Sequence, residues 1–158
     1  MDISELAHKI QLLEDLEAIK TLKHQYCAYC DDSYNPEGIA GLFVENGIWD
    51  GGDFGRCEGR EAIRKFFQKT PAVMSLAAHQ VMNPIIKIDG DRATGAWKLL
   101  QPCTLEGKAG PRAMWLAANY HDEYVRTPAG WKFQQLKVTA LFFAPHAEGW
   151  VKTRFIKG

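Results

Sequence analysis

A chain of 158 residues, 46% apolar, with 19 Lys and Arg against 19 Asp and Glu, has the material for one domain around one core and too little for two. A formal net charge of zero offers no general attraction to nucleic acid or acidic lipid, and no stretch approaches the roughly 20 uninterrupted apolar residues of a membrane helix. Nucleic-acid binding and membrane spanning are therefore set aside.

Met1-Asp2-Ile3-Ser4-Glu5 has neither the basic start nor the apolar core of a secretory leader, so the expected compartment is the cytoplasm. Between Ile10 and Asp31, Leu13, Leu16, Ile19, Leu22, Tyr26 and Cys30 recur at steps of three and four, the stripe of a long amphipathic helix. Asn35-Pro36 restarts the chain, Glu37 to Phe43 reads as a short second helix, and Asn46-Gly47 reads as a turn into a strand at Ile48-Trp49. Glu58-Gly59-Arg60-Glu61 leads into Ala62, Ile63, Phe66 and Phe67 at helical spacing, and Thr70-Pro71 ends this third helix. The period then changes to two. Residues 78–88, 93–105, 113–126 and 131–144 read as strands, separated by Asp89-Gly90-Asp91, Gly107 to Pro111 and Thr127-Pro128-Ala129-Gly130.

Three helices followed by four long antiparallel strands make an α+β arrangement, one domain over residues 1–158 whose sheet curves around helices packed on one face. Such a sheet encloses a conical interior, which is either filled core or a ligand pocket. Residues 1–58 carry 4 basic and 12 acidic side chains and residues 59–158 carry 15 and 7, so the two parts complement each other, preferentially within the fold. The four cysteines require no disulfide framework. Cys27-Ala28-Tyr29-Cys30 ends a helical pattern and has no second ligand pair elsewhere, which argues against a zinc or redox motif.

The run from Leu16 to Tyr26, then Asp31, Leu42-Phe43, Trp49, Gly59-Arg60-Glu61-Ala62-Ile63, His79, Asp89-Gly90-Asp91-Arg92-Ala93, Tyr120 to Tyr124 and Gly130-Trp131 together resemble the SnoaL-like group of the nuclear transport factor 2 superfamily. The resemblance covers nearly the whole chain and implies a cystatin-like cone of antiparallel strands packed on three N-terminal helices. Within the group the chain is most similar to the scytalone dehydratase, bile-acid dehydratase and hexachlorocyclohexane dehydrochlorinase branch, because Asp31 and His79 fall where those lyases carry an Asp–His pair. The resemblance further implies elimination without cofactor or metal, a small-molecule substrate and a homo-oligomer, dimer or trimer.

A carboxylate at a helix C-terminus stands on the wrong side of the macrodipole, so Asp31 needs a partner that propensity does not supply. A neutral imidazole fits: Asp31 would orient His79 through one ring nitrogen while the other accepts a proton. Tyr26 matches a tyrosine that serves the bile-acid dehydratases as proton donor or carbonyl polariser. Five residues at 100° each set it about 140° from Asp31, so the two cannot share one narrow helix face. Cys30 stands where scytalone dehydratase has a tyrosine, Gln101 where the bile-acid dehydratases have an aspartate, and Ala140 where they have an arginine.

Strand alternation places Trp97, Leu99 and Gln101 on one face, with Met114, Leu116, Ala118 and Tyr120 and with Leu136, Val138, Ala140 and Phe142 on the facing positions of the next two strands. With Trp49 these residues, Leu99, Gln101, Leu116, Tyr120, Val138 and Ala140 foremost, would wall a mostly apolar cavity suited to a small apolar, cyclic or carbonyl-bearing substrate. A filled core would show the same alternation. Two other functions share the cone: a small-ligand-binding or assembly module without turnover, which the changes at Gln101 and Ala140 favour, and a ketosteroid-isomerase-like enzyme. The apolar tail from Trp150-Val151 to Phe155-Ile156 is expected to pack on a neighbouring subunit or to close the pocket.

Overall fold

The structure, a computed structural model, describes residues 2–156; Met1, Lys157 and Gly158 of the expected 1–158 domain lie outside them. Asp2 caps α1 (Ile3–Asp31) by accepting the Glu5 N–H at 2.7 Å, so the helix begins well before its apolar stripe. Its first half is exposed, Leu13 included. From Asp15 onward one face buries, through Ile19, Leu22, Lys23, Tyr26, Cys27 and Cys30. Asn35 then caps α2 (Pro36–Gly41) by accepting the Gly38 N–H at 2.9 Å, with Pro36 in the first turn where a missing N–H costs nothing.

Phe43, expected to end the second helix, instead opens β1 (Phe43–Asp50), and Asn46-Gly47 lies inside that strand. The pair is a bulge rather than a turn: β1 runs parallel to the last long strand, and its register jumps between Phe43↔Phe133 and Ile48↔Gln135. After a short 3-10 turn at Gly52–Phe54 come β2 (Arg56–Glu58), α3 (Arg60–Lys69), β3 (Met74–Ala77) and β4 (Gln80–Asp89). The chain continues through β5 (Arg92–Leu105), β6 (Arg112–Thr127), β7 (Gly130–Pro145) and a short α4 (Gly149–Lys152). The four long strands match the alternating segments of the sequence to within two residues; β2, β3 and α4 are too short to carry a period.

The sheet order is β2-β1-β7-β6-β5-β3, with β4 also paired to β5. It is a curved mixed sheet, because the β1–β7 pairing is parallel where an antiparallel sheet was expected. Bulges where β7 passes Ala117/Ala118 and Glu123/Tyr124 of β6 help to coil the long hairpin. The first of them also moves Leu141 out of step, so Phe143 rather than Phe142 turns into the core. Phe142 stacks instead on Trp150 at 4.9 Å, and Phe155 bridges to Phe143, so the C-terminal tail folds back on its own sheet. Among the described residues, no helix is long and apolar enough to cross a membrane.

Two ion pairs tie α1 to β6. Lys23, fully buried, places Nζ 2.8 Å from Asp122 Oδ2 and 3.2 Å above the centre of the Tyr120 ring. Tyr124 donates its hydroxyl to the same Asp122 oxygen, while Asp122 Oδ1 has no partner. Burial drives the Lys23 ammonium down and the Asp122 carboxyl up from their usual ranges, each resisted by the other's charge. Removing either partner would strand the other, a loss of about 3–5 kcal/mol. The second contact is bidentate: Arg126 Nη1 and Nη2 bind Asp15 at 2.6 and 2.7 Å, and Trp131 donates to it at 3.0 Å. Asp15–Arg126, Glu37–Arg64 and Glu45–Arg60 all join the acidic first third to the basic remainder within the fold.

The Arg126 hydrogen bonds lower the Asp15 carboxyl to about 2 from an ordinary 3.8. The folded state therefore binds this proton less readily than the unfolded one, so the stabilisation is complete above the unfolded value and disappears as pH falls from about 4 to about 2. Asp15→Asn should lose about 2 kcal/mol of stability at pH 7 in denaturant unfolding, and the gap to wild type should close toward pH 2. A gap independent of pH would show that the carboxylate's charge is not what holds α1.

Candidate active site

β3 and β4 lie along the same strand, β5, and the break between them falls at Ala78 and His79. Ala78 donates its N–H to Pro102 O at 3.1 Å, and proline has no N–H to return. The next N–H along this edge, that of His79, goes to the end of α1: both oxygens of Asp31 accept it, at 3.0 and 3.1 Å. The ring is held by the same carboxylate, with His79 Nδ1 2.6 Å from Asp31 Oδ1. Asp31 thus fixes the backbone and the side chain of one residue, which answers its unfavourable position at the helix C-terminus. The His79 side chain is 5% exposed, that of Asp31 37%.

An ionised Asp31 accepts only, so Nδ1 carries the hydrogen and Nε2 is left as a proton acceptor. His79 lines a cavity of about 600 Å³ inside the cone. Of the residues read from the sequence as its walls, Trp49, Leu99, Gln101, Leu116, Tyr120 and Val138 line it together with Tyr26 and His79. Ala140 does not. It lines a neighbouring cleft with Gly52, Asp53, Phe143, Phe155 and Ile156, and Phe54 and Val138 belong to the walls of both spaces. Met114, Ala118 and Leu136 are core, as is Trp97, which donates to the Tyr124 hydroxyl at 3.0 Å.

Tyr26 and Asp31 serve the site from different sides, consistent with their divergence around the helix: the Tyr26 ring is in the wall, while Asp31 stands behind His79. The Tyr26 hydroxyl accepts from Trp49 Nε1 at 2.9 Å, and burial holds the phenol well above its usual range. It is therefore a protonated group whose oxygen is already engaged as an acceptor, which strengthens its O–H as a donor. Gln101 is 2% exposed, and its amide turns to Met74 Sδ at 3.4 Å. Cys27 and Cys30 are buried free thiols; burial raises Cys27 to about 11 and holds Cys30 well above its usual range, which makes them poor nucleophiles.

Tyr34, which the sequence did not point to, closes the cavity beside the dyad. It stacks on Phe67 with ring centres 6.0 Å apart and presents an edge to His79 at 6.3 Å. To get there the chain adopts two consecutive left-handed residues, Ser33 (φ 51°) and Tyr34 (φ 55°), a conformation disfavoured for bulky side chains. No local pattern signals this. The α3 residues Ala62 and Phe66 also line the space, and their helical spacing was visible in the sequence although their direction was not. Among the described residues, no three His, Cys, Asp or Glu side chains gather as a metal site would require.

A family model described as a SnoaL-like domain matches residues 11–137. No curated protein matches the chain. Among solved structures, a protein from Novosphingobium aromaticivorans, provisionally described as an aromatic ring hydroxylase, is 28% identical, with a TM-score of 0.73 over 84% of this chain and 94% of that one. An NTF2-like protein with a cystatin-like fold from the same organism is 26% identical, with a TM-score of 0.72 over 89% and 90%. The hexachlorocyclohexane dehydrochlorinase LinA-type3 of Novosphingobium barchaimii is 20% identical, with a TM-score of 0.78 over 95% and 99%; at that identity the likeness is one of fold.

Val138 separates the cavity from the cleft, so Val138→Phe tests whether the cone is empty. With about 600 Å³ beside it, the larger ring should enter free space: the melting temperature should stay within a few degrees of wild type while binding of apolar ligands weakens. Loss of about 1–3 kcal/mol, the cost of overpacking, would show a filled core.

Proposed function

The chain belongs to the SnoaL-like family, and from that premise we propose that it is a cofactor-independent lyase, eliminating water or another leaving group from a small apolar, cyclic or carbonyl-bearing substrate. The observation that carries this reading is the 2.6 Å contact between Asp31 and His79 on the wall of a mostly apolar, aromatic-lined cavity.

His79 Nε2 takes a proton from a carbon next to an electron-withdrawing carbonyl, and Asp31 stabilises the imidazolium that forms. The electron pair of the broken C–H bond becomes the new double bond as the bond to the leaving group on the adjacent carbon breaks. A departing hydroxide needs a proton to leave as water; the Tyr26 phenol, kept protonated by burial and polarised by Trp49, holds the oxygen, and the His79 imidazolium supplies the proton, either directly or by restoring the one that Tyr26 gives, so both groups end the cycle as they began it. The apolar walls exclude competing water. Gln101, tied to Met74, adds no titratable group where it lines the cavity, so it leaves the proton transfers to His79 and Tyr26.

The alternative, a binding module on the same cone, takes its support from Gln101 and Ala140, uncharged where the resemblance implies ionisable side chains. The two readings separate on a panel of cyclic β-hydroxy ketones followed by enone absorbance. His79→Ala should abolish turnover with an unchanged circular dichroism spectrum, and Asp31→Asn should lose about 10²–10⁴-fold, the worth of a positioned base. Wild-type rates in His79→Ala on any turned-over compound would remove the mechanism; apolar binding with no turnover across the panel would favour the module.

A further inference from the structure

α3 turns one face to the cavity: Ala62, Lys65, Phe66 and Lys69, at i, i+3, i+4 and i+7, all line it. Ile63 and Phe67 are buried, Phe67 where the core meets the cavity wall, so the helix cannot roll to take its lysines elsewhere. Both lysines are exposed while lining the space, which puts them at its rim, where the cavity opens to solvent. Acidic neighbours do little to neutralise them. Glu61 binds Arg64 through two guanidinium nitrogens and reaches Lys65 only at 3.4 Å, and Lys69 has no acidic partner among the described residues. Among the described residues, no Asp or Glu side chain lines the cavity.

We propose that the substrate is an amphipathic anion, an apolar body that fills the cone beside His79 and a carboxylate or similar anionic group received by Lys65 and Lys69 at the rim. This rests on reading the cone as a substrate site and adds its chemical class. Two ammonium groups at the opening of a low-dielectric cleft that holds no acid give it a positive field, favouring entry of anions and disfavouring cations. Tyr34, Trp49, Phe66 and Phe67 supply the aromatic walls for the body. The lysines are specificity residues, and Lys69 is the stronger because no acidic side chain among the described residues competes for it.

Isothermal titration with 2-naphthoate, its methyl ester and 2-naphthylmethylammonium tests this directly. At low salt, wild type should bind the acid about three- to tenfold more tightly than the ester, with the ammonium compound weakest. Lys65→Gln/Lys69→Gln should bind acid and ester alike with the ester unchanged, and about 0.5 M salt should erase the preference in wild type. Equal affinity for acid and ester in wild type, or a preference that survives the double substitution, would overturn the proposal and leave the substrate site standing. Failure of all three compounds to bind would remove the site reading and the proposal together.

Discussion

The carboxylate of Asp31 carries three hydrogen bonds from one residue, two from the His79 N–H and one from its ring, and much of the site's geometry follows from that. The strand edge between β3 and β4 would otherwise leave a backbone N–H pointing at nothing. By accepting it, Asp31 stitches the end of the longest helix to the edge of the sheet at the point where an imidazole enters the cone. The same bonds compensate a negative charge at a helix C-terminus, where the peptide dipoles oppose it. A side chain anchored at its backbone and its ring has few orientations left, which is what a positioned base requires.

The rest of the cone is held by contacts that keep its floor rigid while leaving its middle open. Lys23 lies against the Tyr120 ring and binds Asp122, and Tyr26 packs edge-on against Phe67, Tyr120 and Phe133. A buried ion pair is a poor source of net stability, since desolvation offsets most of the attraction. Its effect here is registry: α1 can dock on β6 only where Lys23 meets Asp122 and Asp15 meets Arg126. Those two pairs, on successive parts of one helix, fix how far α1 slides along the sheet, and so where Tyr26 and Asp31 stand relative to His79.

How much of this the sequence discloses depends on the range of each interaction. The four long strands were legible because each runs ten or more residues between clear turn signals. Of β1 only the end, Ile48-Trp49, was legible, since Asn46-Gly47 is the common signal for a tight turn and only the parallel pairing with β7, some 90 residues on, makes it a bulge. No local pattern points to burial of Lys23 or Asp15, because their partners lie 99 and 111 residues away. The bulge at Leu141 defeated the alternation argument for Phe142, and no side chain in the sequence announces it. Asp31 and His79, 48 residues apart, carry no shared pattern; family resemblance brought them together, and Tyr34 stayed hidden because its placement depends on backbone strain.

The central claim is that Asp31 holds His79 in the tautomer with hydrogen on Nδ1, leaving Nε2 unprotonated toward the cavity. Long-range ¹H–¹⁵N spectra of histidine-labelled protein read this without any substrate. The account predicts a protonated Nδ1 and a bare Nε2 for His79 in wild type, and a mixed or reversed tautomer in Asp31→Asn. A wild-type spectrum in which Nε2 carries the hydrogen would contradict it, because the nitrogen facing the cavity would then have no lone pair with which to accept a proton.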